Sequence, residues 1–419
     1  MRDIRLVKLT AAAVGKLIFW LSGLMPRNPR KLCVGAYKNR FTDNGKYLYL
    51  HFANQPGLEV IWISADTALV KILKSRGLMA ARRWSVQGIW HALTAGVYCY
   101  TSYVGDINQW LGNGATRVNL WHGSPLKTIE FDIKSGPMAE RFTPPFTLAK
   151  RLEYHQEYLK PDLMLAPSET VRDCFSSAFR IPASQITIAD NPRTRFYELS
   201  PWAKPRRPSH WRPRLILYAP SWKDNGEVKS LKDTLAPDRL EALLQKLDAT
   251  LLVRLHPNEA HLASGLGGYK GIEDISHRED IYDLLPALSL LITDYSSIYI
   301  DALKYDIPLA FYRGDNEGFL QTCRKAYGFT ENLEPPGPLV TNSAELCALL
   351  GDESSFNKMQ AAEARHQHRR LYWQSPLPDP FLVLAQRLGL ELEVEVGINL
   401  ERDQNQPGVD CTAANKRLS

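Results

Sequence analysis

The stretch 288–312, LSLLITDYSSIYIDALKYDIPLAFY, contains two apolar runs separated by a polar turn and a helical segment. The runs 288–292 and 307–312 are short and largely apolar, as buried strands are, whereas 297–306 is typical of a helix. Apolar strands that alternate with helices indicate a parallel sheet whose two faces are both covered. The stretch therefore predicts a strand–helix–strand unit of an α/β domain.

The same alternation runs through most of the chain. On the N-terminal side, strand-like runs occupy 32–37, 58–64, 96–102, 117–123, 163–168 and 186–190. A second series begins with 214–221 and 249–257 and continues into the quoted stretch. Between the two series, 201–213 carries four prolines and no hydrophobic periodicity, which is typical of a linker. The sequence thus predicts two doubly wound α/β domains, at 31–200 and 214–354.

Length and composition agree with two domains. The chain has 419 residues, of which 44% are hydrophobic, and a single hydrophobic core stops growing at about 250–300 residues. Residues 355–390 are predicted to add C-terminal helices. The last segment, 391–419, has little apolar content and is predicted to be a flexible tail.

The net charge and the cysteine pattern limit the possible binding partners and the cellular compartment. The formal net charge of +6 and the pI of about 8.8 favour anionic partners. No zinc-finger, RNP-type or basic-zipper pattern is present, so we predict no nucleic-acid partner. The six cysteines are scattered without a CxxC pair, which fits a reducing, cytoplasmic compartment.

The N-terminal segment 1–30 is apolar and flanked by basic residues. A signal peptide would need a small-residue cleavage site, which does not follow the apolar run. A spanning helix would have to bury Lys8 and Lys16, and the uninterrupted run 17–25 is shorter than the ~20 residues that a bilayer requires. The remaining alternatives are a helix lying on an anionic leaflet and a helix packed on the protein body. We predict an amphipathic, membrane-associating helix.

Polar residues follow the predicted strands where ligands bind in open parallel sheets, beyond the carboxyl ends of the strands. Four such groups stand out: Trp121-His122-Gly123, Ser221-Trp222-Lys223-Asp224, His256-Pro257 and Thr293-Asp294-Tyr295-Ser296-Ser297. The helix 46–52, KYLYLHF, in contrast, is interpreted as helix core. We therefore expect the functional site at the strand ends.

The two serines of the last group fall at the start of the helix that follows the strand. The amide groups and the positive dipole end of a helix bind phosphate, and hydroxyls add donors. Alternatively Ser296 only caps the helix, although capping and phosphate binding can coexist. His256 is held in an extended conformation by the following proline, and its alternative is a structural, hydrogen-bonded histidine.

The group Trp121-His122-Gly123 ends a predicted strand in the first domain. Gly123 relieves the backbone so that a ligand can approach closely, and Trp121 can form a wall of the site. An imidazole there could take up a proton near neutral pH or donate to a phosphate. The alternative is a core histidine beside a core tryptophan.

Five motifs in this order resemble the CDP-glycerol glycerophosphotransferase family, whose members prime or polymerise teichoic acids and related capsule polymers. They are DNGKYLYLHF (43–52), NLWHGSPLKTIEFD (119–132), APSWKDNGE (219–227), RLHP (254–257) and LLITDYSSIYIDALKYDIPLAFY (290–312). The resemblance runs from about Arg40 to Arg313. It implies a GT-B architecture of two Rossmann-like domains facing a cleft, and peripheral attachment to the cytoplasmic face of the cell membrane.

The resemblance also implies a reaction and roles for residues. Family members move glycerol phosphate from CDP-glycerol onto a hydroxyl of a polymer or its lipid-linked precursor and release CMP. His122 is then the general base, His256 steadies the diphosphate, and Asp301 resembles the acidic residue that binds the nucleotide ribose. The further predicted substrate-binding residues are Trp121, Gly123, Arg193, Ser221, Lys223, Arg254, Thr293, Asp294, Ser296 and Ser297. No cofactor is required, although Mg²⁺ could accompany the donor diphosphate.

Two departures from the family pattern leave the transferred group open. The stretch 190–195 reads DNPRTR where the family commonly has Gly-x-Pro-Arg-Asn-Asp, and the expected Gly-containing, Arg-ended tail is missing after Trp373. CDP-ribitol or another CDP-polyol is therefore an alternative donor. A GT-B glycosyltransferase that uses a nucleotide sugar and a non-catalytic membrane scaffold are the alternative functions.

Overall fold

The computed structural model of the chain describes residues 2–136, 138–199, 214–221, 231–255, 259–314, 325–331, 333–352, 354–355, 359 and 363–392. The predicted linker 201–213 and all but the first two residues of the predicted tail lie outside these ranges. So do His256 and Lys223 of the predicted site. The domain boundaries stay predictions.

The N-terminal part forms one parallel sheet of seven strands in the order β3-β2-β1-β4-β5-β6-β7. Its strands are β1 (Asn28–Gly35), β2 (Glu59–Ser64), β3 (Ala80–Arg82), β4 (Ala95–Tyr100), β5 (Thr116–Asn119), β6 (Leu163–Ala166) and β7 (Ile186–Ile188). The helices are α1 (Arg2–Ser22), α2 (Asp43–Phe52), α3 (Thr67–Ser75), α4 (Val86–Thr94), α5 (Ala139–Phe142), α6 (Leu148–Glu153), α7 (Glu169–Phe179) and α8 (Pro192–Leu199). We call this part the first lobe.

The second lobe forms a parallel sheet of six strands in the order β10-β9-β8-β11-β12-β13. Its strands are β8 (Leu215–Tyr218), β9 (Thr250–Val253), β10 (Ile272–Asp274), β11 (Leu290–Thr293), β12 (Leu309–Tyr312) and β13 (Leu339–Val340). Its helices are α9 (Leu231–Leu235), α10 (Pro237–Leu247), α11 (Ile298–Lys304), α12 (Gly328–Glu331) and α13 (Ser343–Gly351). The prediction of an α/β protein with two parallel sheets is confirmed.

The quoted stretch forms the centre of the second sheet. Leu291 of β11 lies beside Leu309 of β12 in parallel register, and α11 connects the two strands. All four residues of β11 are buried, as the continuous apolar run predicts for a strand covered on both faces. The turn 294–297 follows β11 and therefore lies at the carboxyl ends of the strands of this sheet.

The last helices connect the lobes. They are α14 (Glu363–Tyr372) and α15 (Pro380–Leu388), both within the range predicted to be helical. Phe381 of α15 is buried in the first lobe and stacks on His51 of α2, with 3.9 Å between ring centroids. Burial lowers the pKa of His51 to about 4. The ring is therefore neutral near pH 7 and serves as a flat packing surface.

Helix α1 packs on the first lobe along one side. Its Gly15 lies so close to the Trp110 ring that a β-carbon there would come within 2.8 Å, and Phe19 contacts His155 at 5.0 Å between ring centroids. The small glycine is what lets the helix approach the indole. Among the described residues, no helix combines the length and apolar content needed to cross a bilayer. The contact of α1 with a membrane stays a prediction.

Candidate active site

The residues after β5 form a turn with an unusual backbone. Trp121 has φ +48° and Gly123 has φ +150°, values that a glycine adopts readily and a tryptophan does not. Side-chain amides hold this turn: Asn119 accepts the Trp121 N–H at 2.9 Å, and Asn44 of α2 donates to the Trp121 carbonyl at 3.0 Å. The turn is therefore fixed by its surroundings.

His122 is exposed at the top of this turn, and its ring orientation is set by a hydrogen bond. Nδ1 lies 2.9 Å from the carbonyl oxygen of Thr101. A carbonyl can only accept, so Nδ1 carries the hydrogen and the lone pair of the neutral ring lies on Nε2. This is the arrangement that a general base requires.

Two aromatic rings border His122. Trp121 lies at 4.3 Å between ring centroids, and Tyr37 stacks on the imidazole at 5.9 Å and 16°. Trp121 is itself buried and packs against Phe179 of α7. The alternative of a buried pair is thus right for the tryptophan and wrong for the histidine.

The loop that supplies the Thr101 carbonyl is anchored by Asp106. The Asp106 carboxylate accepts the backbone N–H of Thr101 at 3.2 Å and of Ser102 at 2.8 Å, and the Ser102 hydroxyl at 2.7 Å. Burial raises the pKa of Asp106 to about 6, although these hydrogen bonds oppose the shift. Neither Tyr37, Thr101 nor Asp106 was singled out from the sequence.

The turn after β11 lies in the second lobe. The Thr293 hydroxyl is buried and donates to the Ala219 carbonyl at 2.7 Å, and the Asp294 carboxylate accepts the Ser221 N–H at 2.8 Å. Ser297 immediately precedes α11, but its side chain makes no capping hydrogen bond to the helix. Capping therefore does not explain Ser297.

The two lobes meet beside Gly123. A β-carbon built on Gly123 would lie 3.6 Å from Arg193 Nη2 and 3.8 Å from Ser297 Oγ. The turn that carries His122 and the turn that precedes α11 are therefore neighbours, although they belong to different sheets. The structure brings these two sequence-predicted groups together.

Arg193 and Asp301 form a buried ion pair between the lobes. Arg193 of α8 is 1% exposed, and its Nη2 lies 2.9 Å and 2.8 Å from the two carboxylate oxygens of Asp301 on α11. Its Nη1 lies 2.5 Å from Asp43, and its guanidinium stacks on Tyr282 at 4.5 Å. Both residues were predicted to bind substrate; the structure pairs them with each other inside the protein, and their substrate contacts stay predictions.

A second buried contact between the lobes involves α2. Lys46 Nζ lies 3.1 Å from Asp280, and the Tyr47 hydroxyl donates to the same carboxylate at 2.6 Å. The sequence interpretation of 46–52 as helix core missed this contact between lobes. The sequence contained a signal for this contact. Charged and amide side chains at 43–46 precede the apolar part of the helix.

The remaining predicted residues lie at the strand ends of the second lobe. Ser221 follows β8, and Arg254 follows β9 with its backbone N–H bonded to the Tyr218 carbonyl at 2.9 Å. Burial lowers the pKa of Arg254. Among the described residues, no group of three or more histidine, cysteine or carboxylate side chains could hold a metal ion.

Several known proteins resemble this chain in sequence and in fold. The family model of CDP-glycerol:poly(glycerophosphate) glycerophosphotransferases matches residues 23–375. The chain is 27% identical to a teichoic acid poly(glycerol phosphate) polymerase of Bacillus spizizenii, over 82% of this chain and 88% of the relative. It is 25% identical to a teichoic acid glycerol-phosphate transferase of Staphylococcus aureus, over 78% of this chain and 85% of the relative.

A ribitol enzyme and a solved structure extend the comparison. The chain is 23% identical to a teichoic acid ribitol-phosphate primase of Bacillus spizizenii, over 80% of this chain and 85% of the relative. The solved structure of the wall teichoic acid polymerase TagF superposes with a TM-score of 0.68 at 20% identity, over 92% of this chain and 97% of TagF. TagF thus shares the fold. Because the family model covers most of the residues, including both lobes, the chain belongs to the CDP-glycerol:poly(glycerophosphate) glycerophosphotransferase family.

Proposed function

We propose that this enzyme transfers glycerol phosphate from CDP-glycerol to a hydroxyl of a cell-surface polymer or its lipid-linked precursor, and releases CMP. The observation that carries this is the exposed imidazole of His122, whose tautomer is set by the Thr101 carbonyl and whose turn borders Ser297 of the other lobe. A general base beside the Ser297 hydroxyl is suited to deprotonating an alcohol that attacks a phosphate bound between the lobes.

In the proposed reaction, Nε2 of His122 removes the proton of the acceptor hydroxyl. The acceptor oxygen forms a bond to the β-phosphorus of the donor, and the bond from that phosphorus to the bridging oxygen breaks on the opposite side. CMP leaves with the bridging oxygen and its electron pair. Ser296, Ser297 and His256 would contact the phosphates and stabilise the charge that builds on the leaving group. If Mg²⁺ is bound to the donor diphosphate, it would help to stabilise the charge on the leaving group.

Glycerol is the favoured polyol. The family description and the relatives of higher identity name glycerol phosphate, while the ribitol primase is 23% identical. To test this, the purified full chain is incubated with CDP-glycerol, CDP-ribitol or a panel of nucleotide sugars, with a membrane extract as acceptor. We expect CMP release and a glycerol-phosphate product with CDP-glycerol. Release from CDP-ribitol alone would reassign the donor, and release from a nucleotide sugar would make the enzyme a glycosyltransferase.

The same proposal places the enzyme at an anionic membrane surface, through the exposed side of α1. Phe19 and Ser22 face the protein, whereas the outward side of the helix is apolar, with Val14, Leu17, Ile18, Trp20 and Leu21 exposed. Trp84, Val86 and Trp90 in and beside α4 are exposed as well. Arg27 connects the ends of the two helices, because its guanidinium donates to the carbonyls of Ser22, Ala92 and Ala95. The C-terminal ends of α1 and α4 therefore lie close together.

Replacing Leu17 and Trp20 together by glutamate should weaken membrane binding at least tenfold, because fully burying one such side chain is worth about 1.5–3 kcal/mol. The measurement is co-sedimentation of the full chain with vesicles that contain phosphatidylglycerol. Leu382→Glu on α15 removes an exposed leucine elsewhere and serves as the control. Equal sedimentation of all three proteins would rule out α1 as the membrane contact.

A further inference from the structure

We propose that Asn44 is a positioning residue for His122. It holds the turn that carries the imidazole, and it connects that turn to the ion pair between the lobes. The inference rests on the proposed function of His122, but the contacts that carry it are independent of the donor. Asn44 lies in the motif DNGKYLYLHF (43–52), which resembles the family pattern, but the sequence alone assigned this residue no role.

The turn that carries His122 includes a residue in an unfavourable backbone conformation. A residue with a β-carbon rarely adopts a left-handed backbone conformation, because its β-carbon approaches the neighbouring carbonyl, and Trp121 has φ +48°. Such conformations persist where the surrounding structure over-determines them. Asn44 is 1% exposed, and its Nδ2 lies 3.2 Å from the Leu120 carbonyl and 3.0 Å from the Trp121 carbonyl. Both hydrogens of the amide can therefore serve the turn.

Asn44 is itself held in place on its other side, by Arg193 and Asp43. Its Oδ1 accepts the backbone N–H of Arg193 at 3.2 Å, and its own N–H donates to the Asp43 carboxylate at 2.7 Å. The same Asp43 binds the Arg193 guanidinium, which binds Asp301 of α11. A continuous series of hydrogen bonds thus runs from the helix after the serine turn to the backbone beside His122.

The start of α2 also contacts Thr101, whose carbonyl is the partner of His122 Nδ1. Gly45 follows Asn44, and a β-carbon there would lie 3.2 Å from Cγ2 of Thr101. The start of α2 therefore touches both segments that orient the imidazole: the turn through Asn44 and the Thr101 loop through Gly45. Loss of the Asn44 donors should let the turn relax, so that His122 leaves the Thr101 carbonyl.

The test is Asn44→Asp, which preserves the shape and replaces the NH₂ group by an oxygen facing two carbonyls. In the full chain, nitrogen chemical shifts of labelled histidine report which ring nitrogen carries the hydrogen, and His122→Asn assigns the signal. We expect the wild-type ring to be the Nδ1–H tautomer and the variant to be a mixture. We also expect kcat for CMP release to fall about 10²-fold, because small misplacements of a catalytic group cost that much. KM for the donor should stay near the wild-type value.

Tyr49→Phe on the same helix is the control. It removes a buried hydrogen bond, to the Met79 carbonyl at 3.0 Å, that does not contact the turn. If Asn44→Asp keeps the wild-type tautomer, or loses no more kcat than Tyr49→Phe at equal loss of thermal stability, the proposal is wrong. Asn44→Ala removes the donors without adding an acceptor and is judged by the same tautomer criterion if the aspartate variant does not fold. The tautomer of His122 is measured without substrate. If CDP-glycerol is not the substrate, the tautomer measured in the wild type and in the variant is therefore unaffected.

Discussion

Replacing His122 by asparagine is expected to lower kcat for CMP release by about 10²–10⁴-fold, the usual contribution of a general base. The amide nitrogen of asparagine can still donate to the Thr101 carbonyl, as Nδ1 does at 2.9 Å. The variant lacks any atom equivalent to Nε2, so it loses the base and keeps the local fold. The measurement is CMP release from CDP-glycerol at saturating donor.

The control for this prediction is His91→Asn. His91 is a half-buried histidine on helix α4 of the same lobe, with Nδ1 3.5 Å from Glu59, whereas His122 lies in the turn after β5. We expect it to retain wild-type turnover. Near-wild-type turnover by His122→Asn, with donor binding intact by calorimetry, would remove His122 from the chemistry and with it the proposed mechanism.

Replacing Arg193 by methionine is expected to lower the free energy of unfolding by about 3–5 kcal/mol, the cost of leaving the other half of a buried ion pair without its partner. In this variant the Asp301 carboxylate, 4% exposed, would lose both of its guanidinium hydrogen bonds. Asp43 would lose its partner as well. The measurement is urea denaturation followed by two spectroscopic probes, since a chain with two lobes can unfold in more than one step.

Arg195 provides the matched control on the same helix. It pairs with Asp379 at 2.8 Å, but its side chain is 32% exposed. A partly exposed ion pair contributes less than a fully buried one, so Arg195→Met should have the smaller effect. Equal destabilisation by the two substitutions would mean that the Arg193–Asp301 pair does not hold the lobes together.

Local patterns in the sequence predicted the central strands well and the short edge strands poorly. The apolar runs 214–221 and 307–312 contain β8 and β12, because a strand buried on both faces must be apolar throughout. By contrast the edge strands β3 (Ala80–Arg82), β10 (Ile272–Asp274) and β13 (Leu339–Val340) were not recognised, whereas the edge strand β7 (Ile186–Ile188) lies in the predicted run 186–190. Strands of two or three residues are too short to show a period, and they form because a neighbouring strand offers hydrogen bonds.

The sequence predicted that the candidate site lies at strand ends. The structure shows that strand ends from both lobes lie side by side there. His122 and Ser297 were expected at carboxyl ends of strands, and the structure places their turns side by side. Asn44 was quoted only as part of the motif 43–52 that carries the family resemblance, and Thr101 and Tyr37 were missed because nothing in their own sequence neighbourhoods distinguishes them. They act on His122 only through contacts made after the chain has folded.

The sequence by itself determined the two parallel sheets, the positions of the strand-end motifs and the family, because all three depend on patterns within a few residues. Only the tertiary structure decided which nitrogen of His122 carries its hydrogen, and that Arg193 and Asp301 bind each other. Asn44 and Trp121 are 77 residues apart, and Arg193 and Asp301 are 108 apart. Pairings over such separations depend on how whole elements pack, and buried polar groups take whichever partners that packing leaves within hydrogen-bond distance.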